Sequence, residues 1–184
     1  MEVMHTLAKL QIVPATPEQA ATFCEIRAGN WRAHYPRNLT EEKWMDRRAA
    51  IFCGPLGVSK LAKCLKSARD DPASPYRALA ALADSEVAGY GVASFEPSEW
   101  VGGVGDVQEV SALHVMNRSQ GCGSAVLGTL LGLMDPTRRV ALYTPAHATP
   151  AIRFYERWGF EASEVRPPDW GPMEGVILIR EPSQ

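Results

Sequence analysis

The chain has 184 residues, 46% of them apolar and 22% charged, with a formal net charge of −2 at pH 7. This length supports one domain with a sizeable core, so residues 1–184 are read as a single domain. The near-neutral charge argues against nucleic acid or an anionic membrane surface as partner, and no apolar run approaches the ~20 residues of a bilayer span.

Met1 to Leu10 lacks the long apolar core of a secretory signal, so a cytoplasmic location is expected. The four cysteines, Cys24, Cys53, Cys64 and Cys122, show no Cys-x-x-Cys spacing. Buried reduced thiols are expected, with neither a metal site nor disulfides.

In chain order, Gln11-Ile12-Val13 predicts a short strand, followed by a helix with Thr16 as N-cap and Pro17 at its first position, running to about Trp31. His34-Tyr35-Pro36 ends it. Thr40 caps a second helix carried on by Trp44, Met45, Arg48 and Phe52, and Gly54-Pro55-Leu56-Gly57 breaks it. Ser59 to Arg69 predicts a basic amphipathic helix, with a solvated face or a contact to an acidic ligand as its two readings. Tyr76 to Ala83 and Val87 to Phe95 read as strands joined by Asp84-Ser85-Glu86 at hairpin length. Gly89 and Gly91 suggest a bulge or a close backbone approach. After a turn region holding Trp100, a strand from Val107 to Met116 and a helix from Gly123 to Met134 follow. Arg139 to Tyr143 reads as a buried strand, Pro150 to Trp158 as a helix closed by Gly159, and Phe160 to Val165 and Val176 to Ile179 as final strands.

Between the Val107 strand and the next helix lies a polar turn, Arg118-Ser-Gln-Gly121-Cys-Gly123. The first N–H groups of a helix have no intrahelical partners, and the macrodipole adds partial positive charge there. A glycine turn that opens such a helix is an anion site, suited to a phosphorylated ligand. A dinucleotide fingerprint requires Gly-x-Gly-x-x-Gly, whereas Gly121, Gly123 and Gly128 are spaced two and then five apart. A nicotinamide-dependent oxidoreductase is disfavoured for that reason. The Gly-Lys-Ser/Thr of a P-loop is absent.

Arg118, Gly121 and Gly123, preceded by Leu113-His114-Val115, closely resemble motif A of the GNAT superfamily of N-acetyltransferases, an Arg/Gln-x-x-Gly-x-Gly/Ala turn between strand and helix. Ala151-Ile-Arg-Phe154-Tyr155-Glu-Arg-Trp-Gly159-Phe160 resembles its motif B, and the order of elements is similar over nearly the whole chain. The resemblance implies a mixed α/β GNAT fold: a mostly antiparallel central sheet of about six to seven strands flanked by helices. It implies acetyl-CoA as cosubstrate, held by Leu113, His114, Val115, Arg118, Ser119, Gln120, Gly121, Cys122, Gly123, Ser124 and Ala125. One departure is Ala148, where the family commonly has an Asn that bonds the pantetheine arm. The missing hydrogen bond is worth about 0.5–1.5 kcal/mol.

The implied reaction moves an acetyl group to a primary amine of a small molecule, amino acid or peptide by direct attack in a ternary complex. An alkylamine titrates near ~10, so attack needs a proton acceptor. Glu109, four residues before Leu113, occupies the general-base place of the histone-acetylating branch; the other reading is a carboxylate at the strand's solvated start. His114 is a second possible base. Tyr155 matches the family's general acid, against a packing tyrosine with a satisfied hydroxyl. Cys122 reads as a small turn residue and not as a nucleophile. Strand N–H groups near Leu113 to Val115 would meet the oxyanion. Trp31, His34, Tyr35, Trp100, Asp169 and Trp170 fall where the fold places the acceptor. Several aromatics with few acids suggest a small, partly apolar amine or amino acid. A non-catalytic acyl-CoA-binding domain is the rival reading, and a homodimer through the last strands is an expectation by analogy.

Overall fold

The computed structural model describes residues 9–34, 49–99, 101–116, 121–166 and 174–182. Strand β1 (Leu10–Pro14) leads through a 3₁₀ turn (Pro17–Gln19) into helix α1 (Ala20–His34). The Thr16 N–H donates to Gln19 Oε1 at 2.9 Å, and Pro17, which has no N–H to satisfy, takes the first helical place. Most of the helix expected from Thr40 lies outside the described residues; residues 49–53 are helical.

Helix α2 (Pro55–Asp70) corrects the sequence reading, which placed a break at 54–57 and began the helix at Ser59. Gly54 is an extended cap and Pro55 the first helical residue, so the supposed break is a one-residue joint between helical segments. Residue 57 lies inside the helix, and glycine is required there because a Cβ would lie 2.3 Å from Phe52 O.

The remaining elements are β2 (Tyr76–Ala83), β3 (Glu86–Ser94), β4 (Val107–Val115), α3 (Cys122–Leu133), β5 (Arg139–Pro145), α4 (Thr149–Glu156), β6 (Glu161–Arg166) and β7 (Gly175–Arg180). They form a seven-stranded sheet in the order β1-β2-β3-β4-β5-β7-β6. Every neighbouring pair is antiparallel except β4 and β5. The β2–β3 hairpin turns on two residues, Asp84 and Ser85, at φ 50° and 72°, and Glu86 already belongs to β3. Two positive φ values give the backbone twist that matches flanking strands.

Helices α1 and α2 cover one sheet face over Phe23, Leu65, Ala80, Tyr90 and Val92. Helices α3 and α4 cover the other over Val126, Leu127, Leu130, Leu142, Tyr155 and Leu178. Gly91 permits that second packing, since a Cβ on it would lie 2.6 Å from both Val126 Cγ1 and Leu130 Cδ1. Both roles expected for Gly89 and Gly91 are found: close approach at each, and a bulge in β3 beside Gly89, where Ala81 faces Gly89 and Leu82 faces Val87, leaving Ala88 as the extra residue. Between β3 and β4, Val92 faces Ala112 and Ala93 faces Val110, which leaves Ser111 as the extra residue of a bulge in β4.

The β4–β5 ladder is short. It runs Val107 to Arg139, Gln108 to Val140 and Glu109 to Ala141, and then stops, although β4 continues to Val115 and β5 to Pro145. The paired end is locked. Gln108, fully buried, donates from Nε2 to Asp135 O and accepts from the Asp135 N–H, both at 2.8 Å, and Arg139 Nη2 donates to Val104 O at 2.6 Å.

Candidate active site

Where β4 and β5 part, a cavity of about 490 Å³ opens. Leu113, His114 and Val115 form its β4 wall, and Thr144, Pro145, His147 and Ala148 its opposite wall. Gly121 to Ser124 bring in the start of α3; Pro150, Ala151, Phe154, Tyr155 and Arg157 contribute from α4 and its end; Asn30 and Trp31 reach in from α1. Beyond Glu109 and Ala141 the facing strand edges share no rung among the described residues, so the sheet leaves the β4 edge from Leu113 to Val115 open towards the cavity. Asn30 Nδ2 reaches that edge, donating to Val115 O at 3.0 Å.

Gly121 caps α3 at φ 74°, and the first helical bond returns to it from the Ala125 N–H at 2.9 Å. The N–H groups of Cys122, Gly123 and Ser124 therefore lack intrahelical acceptors at the cavity edge. No atom of the described residues would crowd a Cβ on Gly121, and its φ of 74° by itself favours glycine. Among the described residues a Cβ on Gly123 would meet Phe154 Cζ at 3.6 Å and Val115 Cγ1 at 3.8 Å, both ordinary contacts, so it would be accommodated there.

The titratable groups differ in depth. Tyr155 is 9% exposed, set edge-on to Phe154 and Phe160, and burial holds its phenol well above the usual value. Among the described residues its hydroxyl makes no hydrogen bond. Glu109 is 4% exposed and lies on the last rung of the β4–β5 ladder, off the cavity wall. Burial raises its carboxyl, opposed by the Ser98 N–H, which donates to Oε2 at 2.7 Å. His114 is on the wall, tilted against Tyr90; burial, with the Arg27 charge adding to it, pushes its imidazole down to about 3. It is neutral at physiological pH. The Cys122 thiol is buried and raised by that burial, which outweighs the helix terminus.

Residues 27–160 match the sequence profile of the acetyltransferase (GNAT) family. The chain belongs to this family. No curated protein matches it by sequence. Among solved structures, the PaiA N-acetyltransferase of Thermoplasma acidophilum, in complex with coenzyme A, superposes with a TM-score of 0.75 at 15% identity, over 94% of this chain and 99% of that one. The putative acetyltransferase YncA of Salmonella typhimurium, with its cofactor acetyl-CoA, gives 0.58 at 16% identity, over 95% of each chain. Arabidopsis thaliana NAA60, in complex with a bisubstrate analogue, gives 0.58 at 16% identity, over 93% of this chain and 97% of that one.

Within this GNAT domain the predicted residues separate into groups. Leu113, His114, Val115, Gly121, Cys122, Gly123, Ser124, Tyr155 and Trp31 meet at one cavity. Ala125 is off its wall, with its N–H already donated to Gly121 O. Glu109 is buried behind it, which overturns the solvated-start reading. Arg118, Ser119, Gln120, Tyr35, Trp100, Asp169 and Trp170 lie outside the described residues, as does the side chain of His34. Asn30, Thr144, His147 and Arg157 were not singled out in the sequence; the adjacency of Asn30 to Trp31 and of His147 to Ala148 was the available signal. Among the described residues no cluster of three or more His, Cys, Asp or Glu is placed to hold a metal ion, and no helix is long and apolar enough to cross a membrane. All four cysteines are free thiols, Cys24 and Cys122 buried and Cys53 and Cys64 half-buried.

Proposed function

We propose that the chain is an N-acetyltransferase that takes its acetyl group from acetyl-CoA and gives it to a primary amine by direct attack in a ternary complex. The observation that carries this reading is the parting of β4 from β5 directly onto the N-terminus of α3. Acetyl-CoA supplies an activated thioester. The free N–H groups of Cys122, Gly123 and Ser124 receive the pyrophosphate. The open edge of β4 from Leu113 to Val115 offers N–H groups to the developing oxyanion.

Tyr155 lines the cavity and keeps its proton at neutral pH, so on this reading its hydroxyl donates a hydrogen bond to the departing sulfur. Glu109 accepts the ammonium proton. Its place behind the wall calls for a water relay, and its raised carboxyl is a better-matched base near neutrality than an ordinary one. His114, held neutral and weakly basic, is the poorer acceptor.

Ala148 favours a second reading, an acyl-CoA-binding domain without turnover, since its methyl replaces the pantetheine-binding amide of the family pattern. The two separate in one experiment. Acetyl transfer is followed by mass spectrometry, which the protein's own thiols do not disturb, against pooled amines, amino acids and peptides, beside melting with and without acetyl-CoA. Transfer to one pool supports the enzyme. Stabilisation by acetyl-CoA with no product from any pool would establish the binder instead.

A further inference from the structure

We propose that Asn30 is a binding residue for the pantetheine arm of coenzyme A: moored by Nδ2 on the open edge of β4, it offers its side-chain carbonyl to an amide N–H of the arm. This rests on acetyl-CoA being the ligand of the cavity, and not on acetyl transfer.

Asn30 comes from α1, on the sheet face opposite α3 and α4, and with Trp31 it borders the cavity from that side. It is half-buried, and its Nδ2 donates to Val115 O at 3.0 Å. The direction of that carbonyl follows from its neighbour. The Met116 N–H donates to Ala88 O at 2.8 Å, so it faces β3. A trans peptide carries its C=O and N–H on opposite sides, and none of the described peptides is cis. Val115 O therefore points away from β3, into the gap that β5 has left.

The same bond orients the amide. A carbonyl oxygen only accepts, so the end of Asn30 against Val115 is the nitrogen, and Oδ1 is the acceptor end. One side chain from α1 thus adds an acceptor of its own to the strand edge. Among the described residues that line the cavity, no other carries a side-chain amide.

Coenzyme A has the matching donors. Its covalent order is nucleoside, pyrophosphate, arm and thiol. Val115 stands beside the opening of α3, since a Cβ on Gly123 would lie 3.8 Å from Val115 Cγ1. With the pyrophosphate on the first amides of α3, the next section to meet Val115 and Asn30 is the arm. Neither a pyrophosphate nor a thioester has an N–H to give. The arm has two secondary amides, and each N–H needs an acceptor when it leaves water.

The test is binding, read by calorimetry on the intact protein. The ligands are coenzyme A, its nucleotide without the arm (3′-phospho-ADP), and two analogues of coenzyme A in which one arm amide or the other is an ester. The ester removes the N–H and keeps the carbonyl. The unmodified protein should bind one of the esters about three- to tenfold more weakly than coenzyme A, the scale of one neutral hydrogen bond. In Asn30→Leu, coenzyme A should weaken by a similar factor and that ester should lose nothing further, because the two changes remove one contact. The nucleotide should bind the variant as it binds the parent, and melting temperatures confirm that the variant is folded. Equal binding of coenzyme A and both esters by the unmodified protein overturns the proposal without any variant. Unchanged or tighter coenzyme A binding in Asn30→Leu overturns it too. Equal weakening of coenzyme A and the nucleotide would make Asn30 a staple between α1 and β4, which also overturns it. Failure of the unmodified protein to bind coenzyme A would remove the proposal together with acetyl-CoA as ligand.

Discussion

The Ser98 N–H and Glu109 Oε2 are joined at 2.7 Å, on the last rung that β4 shares with β5. One backbone donor thus holds a buried carboxylate where the sheet begins to divide. Ser98, through its N–H and its nearby hydroxyl, offsets only part of the burial, and the carboxyl stays raised.

That pairing makes Glu109→Gln informative, because the amide can still accept from Ser98 but cannot take a proton. Turnover should fall by about 10²–10⁴-fold with acetyl-CoA affinity unchanged. Unaltered turnover would remove Glu109 as base.

The same group sets a stability trend. A carboxyl raised in the folded chain holds its proton there to higher pH than in the unfolded chain. Its stabilisation is complete below the ordinary carboxylate range and is lost as pH rises through the folded value. Urea unfolding of Glu109→Gln against the parent should therefore show an advantage for the variant that grows from acidic to mildly alkaline pH. A constant difference would mean that Glu109 is not desolvated.

Tyr155→Phe should lower turnover by about 10²-fold or more while leaving acetyl-CoA binding intact. Because burial raises the phenol, the parent's rate profile should show no alkaline fall due to Tyr155 within the usual assay range. An alkaline limb that disappears in the Phe variant would contradict this.

Gly121 and Gly123 should fail differently. Gly121→Ala strains a residue at φ 74° and should cost about 1–2 kcal/mol of stability. Gly123→Asp has room within the protein and should melt near the parent temperature, yet lose acetyl-CoA binding through charge and bulk at the helix terminus. Undiminished binding there would sink the phosphate site.

Gly89→Ala should destabilise by about 1–3 kcal/mol, and by more than Gly91→Ala. A Cβ on Gly89 would meet the His114 backbone oxygen at 2.8 Å as well as Cys122 Sγ at 2.9 Å, whereas the contacts under 3 Å at Gly91 are side-chain methyls of Leu130 and Val126 and no backbone atom. Chemical denaturation of the two variants ranks them.

Much of this was legible in the sequence. The strand from Tyr76 to Ala83 is found at the expected bounds, and the helix after the glycine turn within one residue, because apolar periodicity and glycine chemistry act locally. What depended on distant partners was not. Gly54-Pro55 reads equally as a break or a start until Phe52 O is seen against Gly57. Glu109 is a costly residue in any apolar strand, but its depth and its donor come from a loop eleven residues away. Nothing in the first helix points from Arg27 to its partner Tyr90, 63 residues on. The end of the β4–β5 ladder leaves no mark in either strand's composition.

The three-rung ladder has a mechanical consequence. The sheet is two leaves riveted at one end, β1 to β4 on one side and β5 to β7 on the other, with the rivet backed by Val101, Val107, Ala141 and Ile177. A ligand seated between the leaves stands in for the rungs they do not share. Loading the site would then tie together two leaves that otherwise share three rungs and the core beneath them, and the gap-facing amides of β5 beyond Ala141 would exchange more slowly with solvent when the gap is filled.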